Sequence, residues 1–152
     1  MIEQRRDLQK RTFEFARQIV KLCQVLEQTP GVSRALANQL LRSGSSVGAN
    51  VEEGQGSQSR ADFTARYYVA CKEARETHYW LRLVAASGLV PDHQLVGLID
   101  EASQLVAILT TIVKKTKRPI TKQAWLSSFS LFTLHPSLFD CTPVIGATIH
   151  LS

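Results

Sequence analysis

Leu95, Leu98, Ala102, Leu105, Leu109 and Ile112 recur at intervals of 3, 4, 3, 4 and 3 residues. That rhythm puts them on one face of a long α-helix, and a helix with one apolar stripe must bury it against a neighbour. The same logic applies to three earlier segments. Over residues 8–28, Phe13, Ala16, Val20 and Cys23 form one stripe, and Phe15, Ile19, Leu22 and Leu26 form a second. Together they predict one broad apolar face, ended by Pro30 and Gly31. Leu36, Leu40, Val47 and Val51 mark the inner face of a second helix, for which Ser33 is the expected N-cap. Its middle, from Ser43 to Ala49, is rich in small residues that disfavour a helix by propensity. A helix is nevertheless preferred there over a phosphate loop. The glycines miss P-loop spacing, and small side chains allow another helix to approach closely.

The segment from Arg60 to Ala86 predicts the third helix, starting near Ser59 or Asp62. Phe63, Tyr67, Cys71, Ala74, His78, Leu81 and Ala85 share one strip, while Tyr68, Val69, Tyr79, Trp80, Leu83 and Val84 lie on other sides. A helix apolar around most of its circumference needs more than one covering surface, so subunit contacts are expected there. Its charged residues are expected to join an interface network of ion pairs, with Lys72 and Glu76 as an i,i+4 pair. Gly54-Gln55-Gly56-Ser57 is the expected loop before it. Gly88 as C-cap and Asp92 as N-cap set the turn to the fourth helix, which ends near Lys115.

Four long amphipathic helices with short connections predict an all-α, antiparallel up-down-up-down four-helix bundle over residues 1–118. An irregular apolar C-terminal tail is expected over 119–152, where positions 123–139 carry no charge. This uncharged run is shorter than the roughly 20 residues that span a bilayer, so a membrane role is disfavoured. At 152 residues and 44% apolar content the chain can form one cored domain. The N-terminal stretch has no apolar signal-like region, so a cytoplasmic location is expected.

Chemistry is hard to assemble from these residues. Three cysteines without a C-x-x-C pair argue against a disulfide framework or a thiolate metal cluster. Glu73, Glu76 and Glu101 lack the Glu-x-x-His pattern of di-metal bundles. Cys71 and His78 are seven residues apart, roughly 10 Å along a helix, too far for a direct thiol–imidazole bond. No catalytic residue, metal site, cofactor or small-molecule substrate is predicted.

Binding has better support. Eighteen Lys and Arg against thirteen Asp and Glu give a net charge of +5, which favours anionic partners. The candidate nucleic-acid-binding residues are Arg11, Arg17 and Lys21 in the first helix, with Lys114, Lys115, Lys117 and Arg118 around the end of the fourth. Cations at a helix C-terminus also complement the macrodipole, and this simpler explanation is preferred for the second group. Tyr67, Tyr68, Tyr79 and Trp80 alternate with Arg66, Lys72, Arg75 and Arg82, a mixture suited to base stacking with phosphate contact. It suits a subunit interface as well, and the interface is preferred.

The run Gln39-Leu40-Leu41-Arg42-Ser43-Gly44-Ser45-Ser46-Val47-Gly48-Ala49-Asn50-Val51-Glu52-Glu53-Gly54 resembles the signature of a bacterial four-helix bundle family first noticed in intervening sequences of 23S ribosomal RNA genes. Ser59-Arg60-Ala61-Asp62-Phe63 and the run from Lys72 to Leu83 resemble that family's third-helix pattern. The likeness spans about residues 12–118. It implies an up-down bundle assembling as a ring, a pentamer by expectation. It also implies relation to the accessory variability determinant proteins of diversity-generating retroelements, hence to nucleic acid and a reverse transcriptase as partners. Arg42, Ser43, Gly44, Asn50, Glu53, Arg75, Glu76, Tyr79 and Trp80 fall on the family's motif, with a structural or interface role implied. The expectation is a non-enzymatic, self-assembling bundle that binds RNA or DNA through a basic surface. The alternative is a protein-interaction scaffold.

Overall fold

The computed structural model describes the backbone of residues 2–117 and the side chains of residues 7–117. Arg118 and the predicted apolar tail lie outside the described residues. Four α-helices follow one another: α1 (Ile2–Glu27), α2 (Val32–Gln55), α3 (Arg60–Ala86) and α4 (Asp92–Lys117). There is no strand among the described residues. Short turns make consecutive helices antiparallel neighbours, and α1·α2, α2·α3 and α3·α4 pack intimately, whereas α1 and α4 meet only sparsely. The fold is an all-α four-helix bundle, open along one side.

The inner stripes join in one core. Phe15, Ile19 and Leu22 of α1 meet Leu40, Val47 and Val51 of α2, Tyr67, Ala74 and Leu81 of α3, and Leu95, Leu105 and Leu109 of α4. Only the second of the two predicted α1 stripes, with Cys23 added, reaches this core. Phe13 and Val20 are exposed. The reason is angular: at about 100° per residue, Phe13 points some 160° away from Phe15. Ile112 stays half-buried at the core's edge, and Val113 takes the buried place instead.

The small-residue stretch of α2 is helical throughout, and it brings two backbones together. A Cβ built on Gly44 would lie 2.8 Å from Cγ2 of Ile19, and one on Gly48 would lie 3.4 Å from the carbonyl oxygen of Thr12. Three buried hydroxyls cost little because each finds an acceptor in its own helix. Ser43 Oγ donates to the Gln39 carbonyl at 2.8 Å, Thr77 Oγ1 to Glu73 at 2.8 Å, and Thr12 Oγ1 to Leu8 at 2.9 Å.

Several boundaries differ from expectation. The cap of α2 is Gly31 at φ +93, a conformation open to glycine, and Ser33 sits buried within the first turn. Helix α2 continues through Gly54 and Gln55, because Gly54 lies against the Tyr67 ring and packing offsets its poor propensity. At the start of α3, Ser59 Oγ accepts from the Asp62 amide at 3.1 Å, which makes Ser59 the N-cap. Ser87 closes α3, and Gly88 reverses the chain at φ +62.

By length and composition α4 could cross a membrane. In this fold its stripe of Leu95, Leu98, Ala102, Leu105, Leu109 and Val113 is a bundle seam.

Candidate nucleic-acid interface

The cations of α1 are engaged at home. Arg11 Nε and Nη2 donate to the two carboxylate oxygens of Glu101 at 2.6 and 2.8 Å, and Nη2 also reaches Gln104 Oε1 at 2.5 Å. This fork ties α1 to α4, which otherwise meet only sparsely. The hydrogen bond it donates to Glu101 raises the Arg11 pKa above its ordinary value. Arg17 forms a similar fork with Glu14 at 2.7 and 2.5 Å, and that bond holds the Glu14 carboxyl down at about 2. Each carboxylate cancels one of the charges expected to meet phosphate. Lys21 remains exposed on α1 without an ion pair among the described residues.

Three of the motif residues, Arg42, Glu53 and Glu76, fasten α2 to α3. Arg42 pairs with Glu76 and lies 3.7 Å from Glu73, while Arg66 binds Glu53 at 2.5 Å. Trp80 Nε1 donates to Glu76 at 3.1 Å. That bond, aided by Arg42, lowers the Glu76 pKa, so the carboxylate stays ionised. The expected ion-pair network therefore forms within one chain. Lys72 contributes to it only at longer range, because Arg42 takes the place at Glu76 expected for Lys72. Asn50 Nδ2 donates to the Ser46 carbonyl at 2.9 Å and braces α2 itself. Cys23 is buried, with its thiol 3.3 Å from the Ala37 carbonyl, and burial pushes its pKa up to about 11.

A different face of α3 carries cations that form no close ion pair among the described residues. Tyr68, Lys72, Arg75, Tyr79 and Arg82 follow at intervals of 4, 3, 4 and 3 and are all exposed. At about 100° per residue they fall within an arc of roughly 80° on the solvent side. The neighbouring edge of α4 continues the surface. Arg75 Nη2 donates to Thr110 Oγ1 at 3.2 Å, and Lys117 Nζ lies 4.5 Å from the centre of the Tyr68 ring. Lys114 shares the Thr110 and Lys117 side of α4, whereas Lys115 turns toward the other flank. Arg60 donates to the Thr116 and Lys115 carbonyls at 3.1 Å and closes the helix end. Lys72, Arg75, Arg82, Lys114 and Lys117 have no carboxylate partner within ion-pair distance among the described residues.

The structure thus sorts the aromatic and basic mixture of α3. Tyr67 is buried against Phe63, Trp80 is half-buried and bonded to Glu76, and Arg66 is paired. Tyr68 and Tyr79 remain 48% and 56% exposed beside the free cations. Two determinants escaped the sequence reading. Glu101, which neutralises Arg11, is ninety residues away from it. Thr110, which positions Arg75, is an ordinary helix-surface residue in sequence. The 4, 3, 4, 3 spacing of the α3 stripe was the available signal.

Among the described residues no group of three His, Cys, Asp or Glu side chains could hold a metal ion. The family described as 23S rRNA-intervening sequence protein matches residues 4–111. The chain belongs to this family. A 23S rRNA-intervening sequence protein should share its fold with relatives across the bundle, and it does. A crystal structure of a protein of unknown function from the S23 ribosomal protein family of Bacteroides thetaiotaomicron is 37% identical, with a TM-score of 0.65. The match covers 70% of this chain and 98% of that one. Among curated proteins no sequence matches. Neither description names an enzymatic activity.

Proposed function

We propose that this protein is a non-enzymatic helical bundle that binds RNA or DNA through the α3–α4 face and assembles with copies of itself. The observation that carries the binding half is the row of cations at Lys72, Arg75 and Arg82, continued by Lys114 and Lys117, with no carboxylate within ion-pair distance among the described residues. Surface cations without acidic partners release counterions from a polyanion on contact, and the family description names a ribosomal RNA context.

A salt titration tests it. Five phosphate contacts give a slope of log affinity against log salt of about −3.5 on a single strand and about −4.5 on a duplex. Lys72→Gln/Arg75→Gln/Arg82→Gln is expected to flatten that slope by about 2 to 3. Arg11→Gln/Arg17→Gln is expected to leave it unchanged. No binding of any RNA or DNA at micromolar protein and low salt sinks the proposal.

Self-assembly draws on a second surface. Phe13 is 72% exposed beside a groove of about 700 Å³ floored by Ala16, Ser45, Gly48 and Ala49. A large exposed ring next to a shallow apolar groove suits a second copy of the chain, ring into groove. Phe13→Glu is expected to reduce the sedimenting mass to that of a monomer with the circular dichroism unchanged. An unaltered mass removes this surface from the assembly. A pull-down whose protein partner survives nuclease would favour the scaffold reading.

A further inference from the structure

Cations alone do not choose between strands and duplexes; the two exposed rings do. Resting on the nucleic-acid reading above, we infer that the α3–α4 face takes single-stranded nucleic acid, with bases stacked on Tyr68 and Tyr79 and phosphates following Lys72, Arg75 and Arg82. A duplex hides its base faces in its own stack, whereas a single strand can offer them to aromatic side chains.

The geometry fits such a strand. Tyr68 and Tyr79 are eleven residues apart, roughly 16 Å along the helix axis, enough for a few nucleotides of a single strand to run between the two rings. Lys72 and Arg75 lie between the two rings and Arg82 lies one turn beyond, so cations alternate with stacking surfaces along one line. Both rings are braced. Tyr79 meets Trp80 edge to face at 5.0 Å between centroids, and Trp80 is itself bonded to Glu76. Lys117 lies over one face of the Tyr68 ring, and Tyr68 remains 48% exposed. Arg75 is steadied by Thr110. The carboxylates nearest on α3, Glu73 and Glu76, are directed toward Arg42 on the α2 side. A second copy presenting this same face would bring like charges together, so the charge favours a polyanion over self-contact.

The test is fluorescence anisotropy at low salt with labelled U12, labelled dT12 and a blunt 12-base-pair duplex. The full-length protein is compared with Tyr68→Leu/Tyr79→Leu and Tyr68→Phe/Tyr79→Phe. Leucine keeps apolar bulk and helix propensity at exposed positions, and circular dichroism verifies folding. The expected result is at least a tenfold loss of single-strand affinity for the leucine pair. Duplex affinity should stay within about twofold, and the phenylalanine pair should bind strands like the parent. Comparable losses on U12 and dT12 identify the recognised chemistry as the bare base and phosphate; a loss on U12 alone assigns it to RNA. An unchanged ratio of strand to duplex affinity overturns the inference while the cationic reading stands. No binding to any of the three probes overturns both. A change in sedimenting mass for the leucine pair makes this face a contact between copies and overturns it too.

Discussion

Gly44→Val is expected to lower the free energy of unfolding by about 3 kcal/mol, at the upper end of the range for overpacked cores. The cause is the approach of α2 to α1. A Cβ on Gly44 would stand 2.8, 3.0 and 3.2 Å from Cγ2, Cγ1 and Cβ of Ile19. Ile19 is fully buried and branched at Cβ, so no flexible end can swing away. Valine adds two further carbons to that clash, and relief requires the helices to separate. The gain in helix propensity over glycine, about half a kcal/mol, is too small to compensate. Gly97 provides the control. Nothing lies within 4 Å of a Cβ there, so Gly97→Ala should raise stability by about 0.5–1 kcal/mol. Urea denaturation followed by circular dichroism measures both changes. Equal effects at Gly44 and Gly97 would mean that α2 does not rest on Ile19.

The contrast shows what the sequence could and could not disclose. Helix number, order and most inner residues were legible, because the 3-and-4 rhythm of Leu95 to Leu109 or of Leu36 to Val51 follows from helix geometry alone. The small residues from Ser43 to Ala49 could be assigned to a helix only by supposing close packing, and the Ile19 and Thr12 contacts supply it. Phe13 and Phe15 could not be ranked, since both belong to apolar stripes and only the direction of the neighbouring helices separates them. The candidate interface was less legible still. Arg11 and Arg17 look as available as Lys72 or Arg82 in one dimension. Charge becomes available only where folding brings no carboxylate, and Glu101 arrives beside Arg11 from ninety residues away. Neighbours Tyr67 and Tyr68 likewise part company because one turns inward and the other outward.

Tyr67→Ala is expected to cost more than any surface change, about 3–5 kcal/mol by analogy with truncation of other buried aromatic residues. Tyr67 is the largest fully buried side chain among the described residues, and it stacks on Phe63 with ring centroids 4.1 Å apart. Gln55 Nε2 donates to its hydroxyl at 2.5 Å, joining the end of α2 to the start of α3. Tyr67→Phe removes this bond and should cost only about 1 kcal/mol, since Gln55 is half-buried and can turn to water. Gly54 supplies the decisive comparison. Its missing Cβ makes room for the ring, as a methyl there would come within 2.6 Å of Tyr67 Cε2. Gly54→Ala should therefore destabilise the parent protein by about 1–3 kcal/mol. In the Tyr67→Ala background the same methyl enters vacated space and gains helix propensity, so its effect should reverse sign. A double-mutant cycle by urea denaturation gives the coupling directly. Additive losses would show that ring and glycine do not share one space.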